Sequence, residues 1–432
     1  MTGDVIEDEG DGDASDVVGD GDSSDIVGDD DGPTFETVEL GDSSVRWRPS
    51  GRTAAYVAGA VLLLALAVYD ARVVPEGEAL YGSFSPSTID WLYWLSLWSI
   101  LALLVVPVAR SRGLVAYYWR RLRRNRVAVA SLAYLGAFGV VAVLGPHLVG
   151  SPAEPVFGTA TGREPYPSQP PVGFGVPRSL VYCAEETLVD GQCMGTWQYP
   201  LGTTSTGEDV LTRVVLGMNV ALKVVAITGT LMVPLGVGVG TVAGYSGGRV
   251  DDALMRYVDV QQVLPAFFIV LLLLVIHDGG LLLLVGVFGL LNWGGIARLV
   301  RSDALKTREE GYVWAARSAG ARPLRVVRRH IVPNTSSTIL TAVTLQLPLI
   351  VIMEATLAYL FSTPKRGAAR ASIWQVDYSW GWTIALGFSD RAFPTLSWWV
   401  ALAPGILLLA TTVSLSLLGD AMRDALDPRV ER

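Results

Sequence analysis

Apolar residues dominate eight stretches of the chain, at about 53–70, 89–109, 127–149, 222–245, 258–277, 281–300, 337–361 and 396–418. Runs of about 18 residues or more have the length of a helix that crosses a bilayer, longer than a strand or a short buried helix needs. The segments between them carry the turn-forming residues and most of the charge. The pattern predicts an all-α polytopic integral membrane protein with eight spans. It overrides the two or three soluble domains that a length of 432 residues would otherwise suggest.

Charge in the connecting segments sets a direction. Residues 110–126 hold seven Arg and no acid, which places that loop on the cytoplasmic side, where Lys and Arg accumulate. Alternation then puts 150–221, 278–280 and 362–395 outside, 246–257 and 301–336 inside, and both termini in the cytoplasm. Two further stretches agree: 298–329 carries nine basic residues against three acids, and Arg46, Arg48 and Arg52 precede the first span.

The net charge of −8 averages two unlike regions. Residues 1–45 contain sixteen acids and no Lys or Arg, which leaves 25 acids against 33 basic residues in the rest, a balance of +8. Acids, Gly and Ser with few large apolar groups bury too little surface to offset ordering entropy, so 1–45 reads as a disordered acidic cytoplasmic tail. Its GDGD runs lack the spaced ligands and distal Glu of a calcium loop and read as solvated. No basic-then-apolar start is present, so the first span is expected to target the chain. Only Lys223, Lys306 and Lys365 are lysines; with the acid loading, this resembles the composition of a salt-adapted, archaeal halophile-like source.

Little in the chain points to catalysis. There is no GxxxxGK[ST] loop to cradle phosphates and no Ser/His/Asp grouping, so neither nucleotide hydrolysis nor another enzymatic activity is expected of this chain. His147, His277 and His330 lie in separate segments without HxxxH or CxxC spacing, and no metal site is predicted. No nucleic-acid partner is expected. The glycines of PLGVGVGTVAG, 234–244, read as helix-packing positions. Cys183 and Cys193 share the outside loop, where a disulfide closing a small loop is favoured over two free thiols.

The segment YVWAARSAGARPLRVVRRHIVPN, Tyr312–Asn334, is the least ordinary. It carries five Arg and no acid between two apolar runs. Glu309–Ala319 reads as a short helix with Glu309 and Glu310 in its first turn. Gly320 follows as a left-handed cap, Pro323 starts a second helix over 323–331, and Pro333-Asn334 ends it. The product is a cytoplasmic elbow whose small face, Ala315, Ala316 and Ala319, lets another protein surface approach closely. A basic loop lying on anionic membrane lipid accounts for the arginines but not for the small face, the Gly turn and the Pro-Asn exit together.

These residues resemble the "EAA" coupling loop of ABC-importer permeases, and most nearly the second permease of the dipeptide/oligopeptide/nickel class. NRVAVASLAYLGAFGVVAVLGP resembles its first span, YPLGTTSTGEDVLTRVVLG its outside LGTDxxGRD segment, and AGYSGGRVDDALMRYVDVQQVLP its inner turn. EATLAYL, SWGW and LLGDAMRDALDPR follow in the same order. The likeness covers residues 118–432 and implies a six-span permease domain there, preceded by two extra N-terminal transmembrane helices in 46–117 and by the tail. It further implies a heterodimer with a second permease, cytoplasmic ATPases that bind ATP, and an external solute-binding protein. On this likeness the coupling site is Glu310, Trp314, Ala315, Ala316, Ala319, Gly320, Pro323, His330, Pro333 and Asn334. The chain departs from the pattern at Trp314, where the signature has Glu, at Thr204 for Asp, at Glu208 for Arg, and at an Arg-rich insert, PKRGAARAS.

Glu354 is an ionisable group in an apolar run and a functional candidate by default, read as gating or packing rather than solute contact. Asn292 and Trp293 are read as packing, and Lys223 as a cation reaching the outer interface. The expected function is a permease subunit for peptides or similar small polar solutes in the cell membrane. The alternatives are a scaffold or sensor that has lost transport, motivated by the departures, and an ion-driven secondary transporter, which would need mid-span carboxylates in both halves.

Overall fold

A computed structural model describes residues 51–74, 86–149, 167–181, 183, 187–276, 280–362, 378–389 and 397–426. The acidic segment 1–45, the first part of the outside loop (150–166), His277 and the Arg-rich insert (364–372) lie outside the described residues. Among the described residues seven helices are long and apolar enough to cross a bilayer, and a bent pair makes the count eight.

The chain enters through α1, Gly51–Val73, and returns through α2, Thr88–Ile100, which a π-helical turn joins to α3, Val106–Arg110. The basic segment read as a loop contains a helix, α4, Arg112–Leu122, before α5, Arg126–Val149. Between α5 and the next long helix, three short strands pair antiparallel in the order β1 (Gly175–Pro177), β3 (Gln192–Met194), β2 (Leu188–Val189). A Cys183–Cys193 disulfide joins this sheet to the preceding strand connection, with Cα atoms 5.9 Å apart.

The fourth span starts earlier than its apolar run. α6 is Val210–Ser246, 37 residues, or about 55 Å at the helical rise against a hydrocarbon core of about 30 Å. The outside loop read as 150–221 therefore ends at Asp209, whose carboxylate accepts from the Leu211 and Thr212 amides and caps the helix. Polar residues masked this first part: Arg213 meets Glu208, Asn219 donates to the Ala142 carbonyl at 2.8 Å, and Lys223 meets Asp90.

The next span is bent, and the one after it carries a two-residue turn. α7, Gly248–Val263, and α8, Ala266–Ile276, meet at 57° across Leu264-Pro265, so the span read as 258–277 is a bent pair. Proline lacks the amide and clashes with the preceding turn, which ends α7 there. α9, Leu281–Leu291, turns at Asn292-Trp293 into α10, Gly294–Arg308. The segment read as a loop from residue 301 is therefore helical through Arg308. α14, Ser336–Ser362, α15, Trp380–Ser389, and α16, Trp398–Leu426, complete the bundle. α15 falls in a segment, 362–395, read as an outside loop.

α6 and α10 form the closest helix pair. A β-carbon on Gly236 would lie 2.7 Å from Ile296 and one on Gly244 2.7 Å from Ala304, while on Gly240 it would strike the Ala297 carbonyl. Small residues four apart let two backbones touch, which is how helices associate where lipid is as apolar as the side chains. Around this seam the main core gathers Val224, Ile227, Met232, Leu284, Phe288, Ile296 and Val300.

α2 joins this core through Tyr93, Leu92 and Leu97. Lys223 is paired: its Nζ lies 2.6 Å from Asp90 Oδ1. A capping box on Ser87 and Asp90 fixes that carboxylate at the start of α2. α1 is held to α2 by Trp91 Nε1 donating to Asp70 at 2.8 Å and by Trp98, whose ring lies on Gly59 and whose Nε1 donates to the Tyr56 carbonyl. Asp90→Asn is expected to destabilise the purified chain by about 1–2 kcal/mol, between the values for exposed and buried pairs. Lys223→Met should cost a similar amount, and the double variant Asp90→Asn/Lys223→Met little more than either alone. Thermal unfolding in detergent reads all three, and an unshifted midpoint for Asp90→Asn would remove the ion pair as the anchor of the hairpin.

Candidate functional site

The elbow is built from three pieces between α10 and α14. α11 is Gly311–Ser318, two residues shorter at its start than read, so Glu309 and Glu310 precede it; Glu310 occupies the N-cap position without a side-chain cap bond. At the other end, Gly320 sits at φ +77°, its amide donates to Arg317, and the Ala321 amide reaches back to Ala316 at 3.1 Å. This is a Schellman cap, and it needs a residue free of a β-carbon penalty at positive φ.

The exit differs from the sequence reading. α12, Pro323–Val326, a π-helical turn over Val327–Ile331, and α13, Val332–Asn334, form one helical run. It continues through Pro333 and breaks at Thr335. Pro333 cannot donate to the carbonyl one turn back and crowds it, and the widened turn just before it relieves that conflict.

Three buried side chains, Val313, Val326 and Ile331, hold the elbow to the bundle. Arg317 lies 4.6 Å over the Tyr245 ring at the end of α6, and Arg308 donates to the Tyr245 carbonyl. Asn334 Nδ2 donates to the His330 carbonyl at 2.6 Å and to Tyr312 Oη at 2.9 Å, and the Tyr312 and His330 rings are 6.0 Å apart. The sequence reading named Asn334 and His330 but missed Tyr312. Its only signal was a hydroxyl-bearing aromatic on the first turn of a short helix.

The outer face of the elbow is apolar and open. Trp314 is 59% exposed and Leu324 64% exposed, with Ala315, Ala319, Gly320 and Pro323 exposed between them and Ala316 half-buried. Exposed Arg322, Arg325, Arg328 and Arg329 lie alongside. An open aromatic and aliphatic patch with a cationic border is the composition of a protein-docking surface.

The remaining candidates are elsewhere. Glu354 is buried on α14, with Oε1 unpartnered among the described residues. It lies beside Ser379. In the same cluster Gly381 packs on the Ala355 carbonyl and Trp380 packs on Gly217 while donating to the Val214 carbonyl at 3.0 Å. EATL and SWGW thus meet in one packed contact between α14, α15 and α6. Trp293 is buried, donates to the Leu290 carbonyl and stacks on Tyr257.

The outside motif is closed by hydrogen bonds. Thr204 Oγ1 accepts from the Glu208 amide at 3.0 Å, Glu208 takes Arg213 Nε at 2.6 Å, and Arg213 lies over Tyr378. Within the described residues, no group of three or more His, Cys, Asp or Glu is arranged to hold a metal.

Residues 236–432 match the family described as the binding-protein-dependent transport system inner membrane component, and 113–171 match the N-terminal TM domain of oligopeptide transport permease C. The dipeptide transport system permease protein DppC of Bacillus subtilis (strain 168) is 30% identical over 317 residues, 73% of this chain and 85% of its own length. The oligopeptide transport system permease protein OppC of the same organism is 30% identical over 234 residues, 54% of this chain and 72% of its own length. A solved chain of the MetNI methionine ABC transporter aligns with 50% of this chain and 98% of its own at 17% identity, with a TM-score of 0.40. Relatives of this kind do not favour a scaffold that has lost transport, nor an ion-driven carrier. The chain belongs to the permease family of binding-protein-dependent ABC importers, as the non-enzymatic integral membrane subunit that works with an ATPase and a solute-binding protein.

Proposed function

We propose that this chain is one half of a translocation path for peptides or similar small polar solutes. The relatives named as dipeptide and oligopeptide permeases support that solute class. In this reading a second permease completes a heterodimer, the binding protein delivers solute from outside, and both termini face the cytoplasm. Residues 118–432 form the permease domain, 46–117 add two helices, and 1–45 is a cytoplasmic tail.

The observation that carries the mechanism is the elbow. α11 presents Trp314 and the Ala315/Ala319 face outward, while Val313 and Arg317 tie it to the ends of α10 and α6. A docked ATPase that closes on ATP would push on α11 and, through that fixed link, tilt α6 and α10. Nucleotide binding is thereby coupled to the direction in which the path opens. Trp314 replaces the acid of the family signature with a large apolar anchor, which fits an apolar pocket on its own ATPase rather than a basic one.

Two substitutions test the docking. Trp314→Ala is expected to weaken retention of the ATPase by about 2 kcal/mol, roughly thirtyfold, as for a central aromatic anchor. Its thermal midpoint should not move, because the side chain is mostly exposed. ATPase co-purification at wild-type level would remove Trp314 from the contact. Gly320→Pro cannot reach φ +77°, since proline holds φ near −65°. It should abolish solute-stimulated ATP hydrolysis in the reconstituted complex while leaving the spans folded, and unchanged stimulation would count against docking at this turn.

A further inference from the structure

The bend in one span and a two-residue turn in the next meet at one depth. α8 and α9 are eleven residues each, about 16 Å, or half of a hydrocarbon core of about 30 Å. They are joined at the outer side, so Leu264-Pro265 and Asn292-Trp293 both fall near the middle of the membrane. The breaks are in contact: Gln261 Nε2 donates to the Leu290 carbonyl at 3.0 Å, and Tyr257 stacks on Trp293 at 6.0 Å. Non-helical backbone at membrane depth persists only where it is buried in protein or lines a wet cavity.

Here it is buried on one side and open on the other. Trp293 and Gly294 are buried, Asn292, Gly295 and Gln346 are half-buried, and Gln262 and Leu264 are exposed. Gln261 and Trp293 both serve the freed Leu290 carbonyl. Gln262 and Gln346 serve nothing comparable, and no hydrogen bond among the described residues engages either side chain. The two amides converge on the glycine pair. A β-carbon on Gly294 would come 2.7 Å from Gln262 Nε2, and one on Gly295 would lie 3.3 Å from Gln346 Nε2 and 3.9 Å from Gln262 Nε2. One turn further in, Asp259 and Arg298 pair at 2.7 Å and offset each other. The level of the two glutamines therefore carries no net charge.

We propose that Gln262 and Gln346, with Asn292 at the same turn, form a neutral amide station for the main-chain amides of the translocated solute. A primary amide both donates and accepts, as each peptide unit does. It can replace water on a passing backbone without regard to side-chain charge. The glycines at 294 and 295 keep the wall flat so that backbone can approach it. The station rests on the peptide reading above.

The test uses the complete transporter, with second permease, ATPases and binding protein, in proteoliposomes. Uptake is measured for Ala-Ala-Ala, Ala-Lys-Ala and Ala-Glu-Ala. Gln346→Glu and, separately, Gln262→Glu place a carboxylate at the station and should shift the Lys-to-Glu uptake ratio toward the lysine peptide by about tenfold. Gln346→Leu should lower the maximal rate for all three while binding-protein affinity is unchanged. Ratios and rates equal to wild type in all variants would overturn the station and leave the peptide reading intact. Loss of the second permease on co-purification of the variants would also overturn it, assigning the amides to a subunit contact. A wild-type complex that carries none of the three would sink the peptide reading and the station together.

Discussion

Three glycines on one face of α6, at 236, 240 and 244, bring its backbone directly against Ile296, Ala297, Val300 and Ala304 of α10. In lipid there is no hydrophobic gain in joining two helices, so close contact of this kind has to do the work that core burial does in water. Other elements attach to α6. α5 does so through Asn219 and the Ala142 carbonyl, α2 through Lys223 and Asp90, and α15 through Trp380 seated on Gly217. Because α10 runs into α11 across only Glu309 and Glu310, a displacement of the elbow cannot leave the seam unmoved. The elbow and the bundle are packed as one unit.

The departures from the family pattern look different once their neighbours are known. Glu208, in place of a motif arginine, meets Arg213, which is itself buried and lies over Tyr378. Thr204, in place of a motif aspartate, still holds the turn by accepting the Glu208 and Thr206 amides. Polarity at 208 has been reversed, but the charge remains paired where an unpaired one would be costly. These residues organise the entry to α6. Their replacement alters the outer loop without removing its support, and the case for lost function that they raised loses its main ground.

Hydropathy located the seven long apolar helices and the bent pair because lipid demands length and apolarity of every span. It did not reveal α15, ten residues long and too short to register, or the first three turns of α6, where Arg213 and Asn219 interrupt the apolar pattern. Asn219 reaches the distant Ala142 carbonyl, and Arg213, besides its neighbour Glu208, reaches Tyr378; no local pattern shows these long-range partners. The bend at Pro265 was visible as a proline but not as two half-length helices meeting a second break. In the elbow the Gly320 cap was legible from one residue, since only positive φ explains a glycine there. The π turn before Pro333 was not, because it answers a clash that exists only once the helix is required to continue.

The N-terminal hairpin gains a role from where it touches. No part of the apolar window of α1 is buried, and it is α2 that reaches the core. α2 grips α6 in its outer part through Lys223, whereas the glycine seam grips α6 in its inner part, from 236 to 244. Between the two lies Pro234, inside the helix, which lacks an amide to hydrogen-bond and weakens the turn around it. A helix held at both ends by different partners, with a proline between them, is weakest at that proline. The ion pair ties the N-terminal half of α6, next to its Asp209 cap, to α2, and the glycine seam ties the C-terminal half to α10, so the two halves have separate supports on either side of the proline.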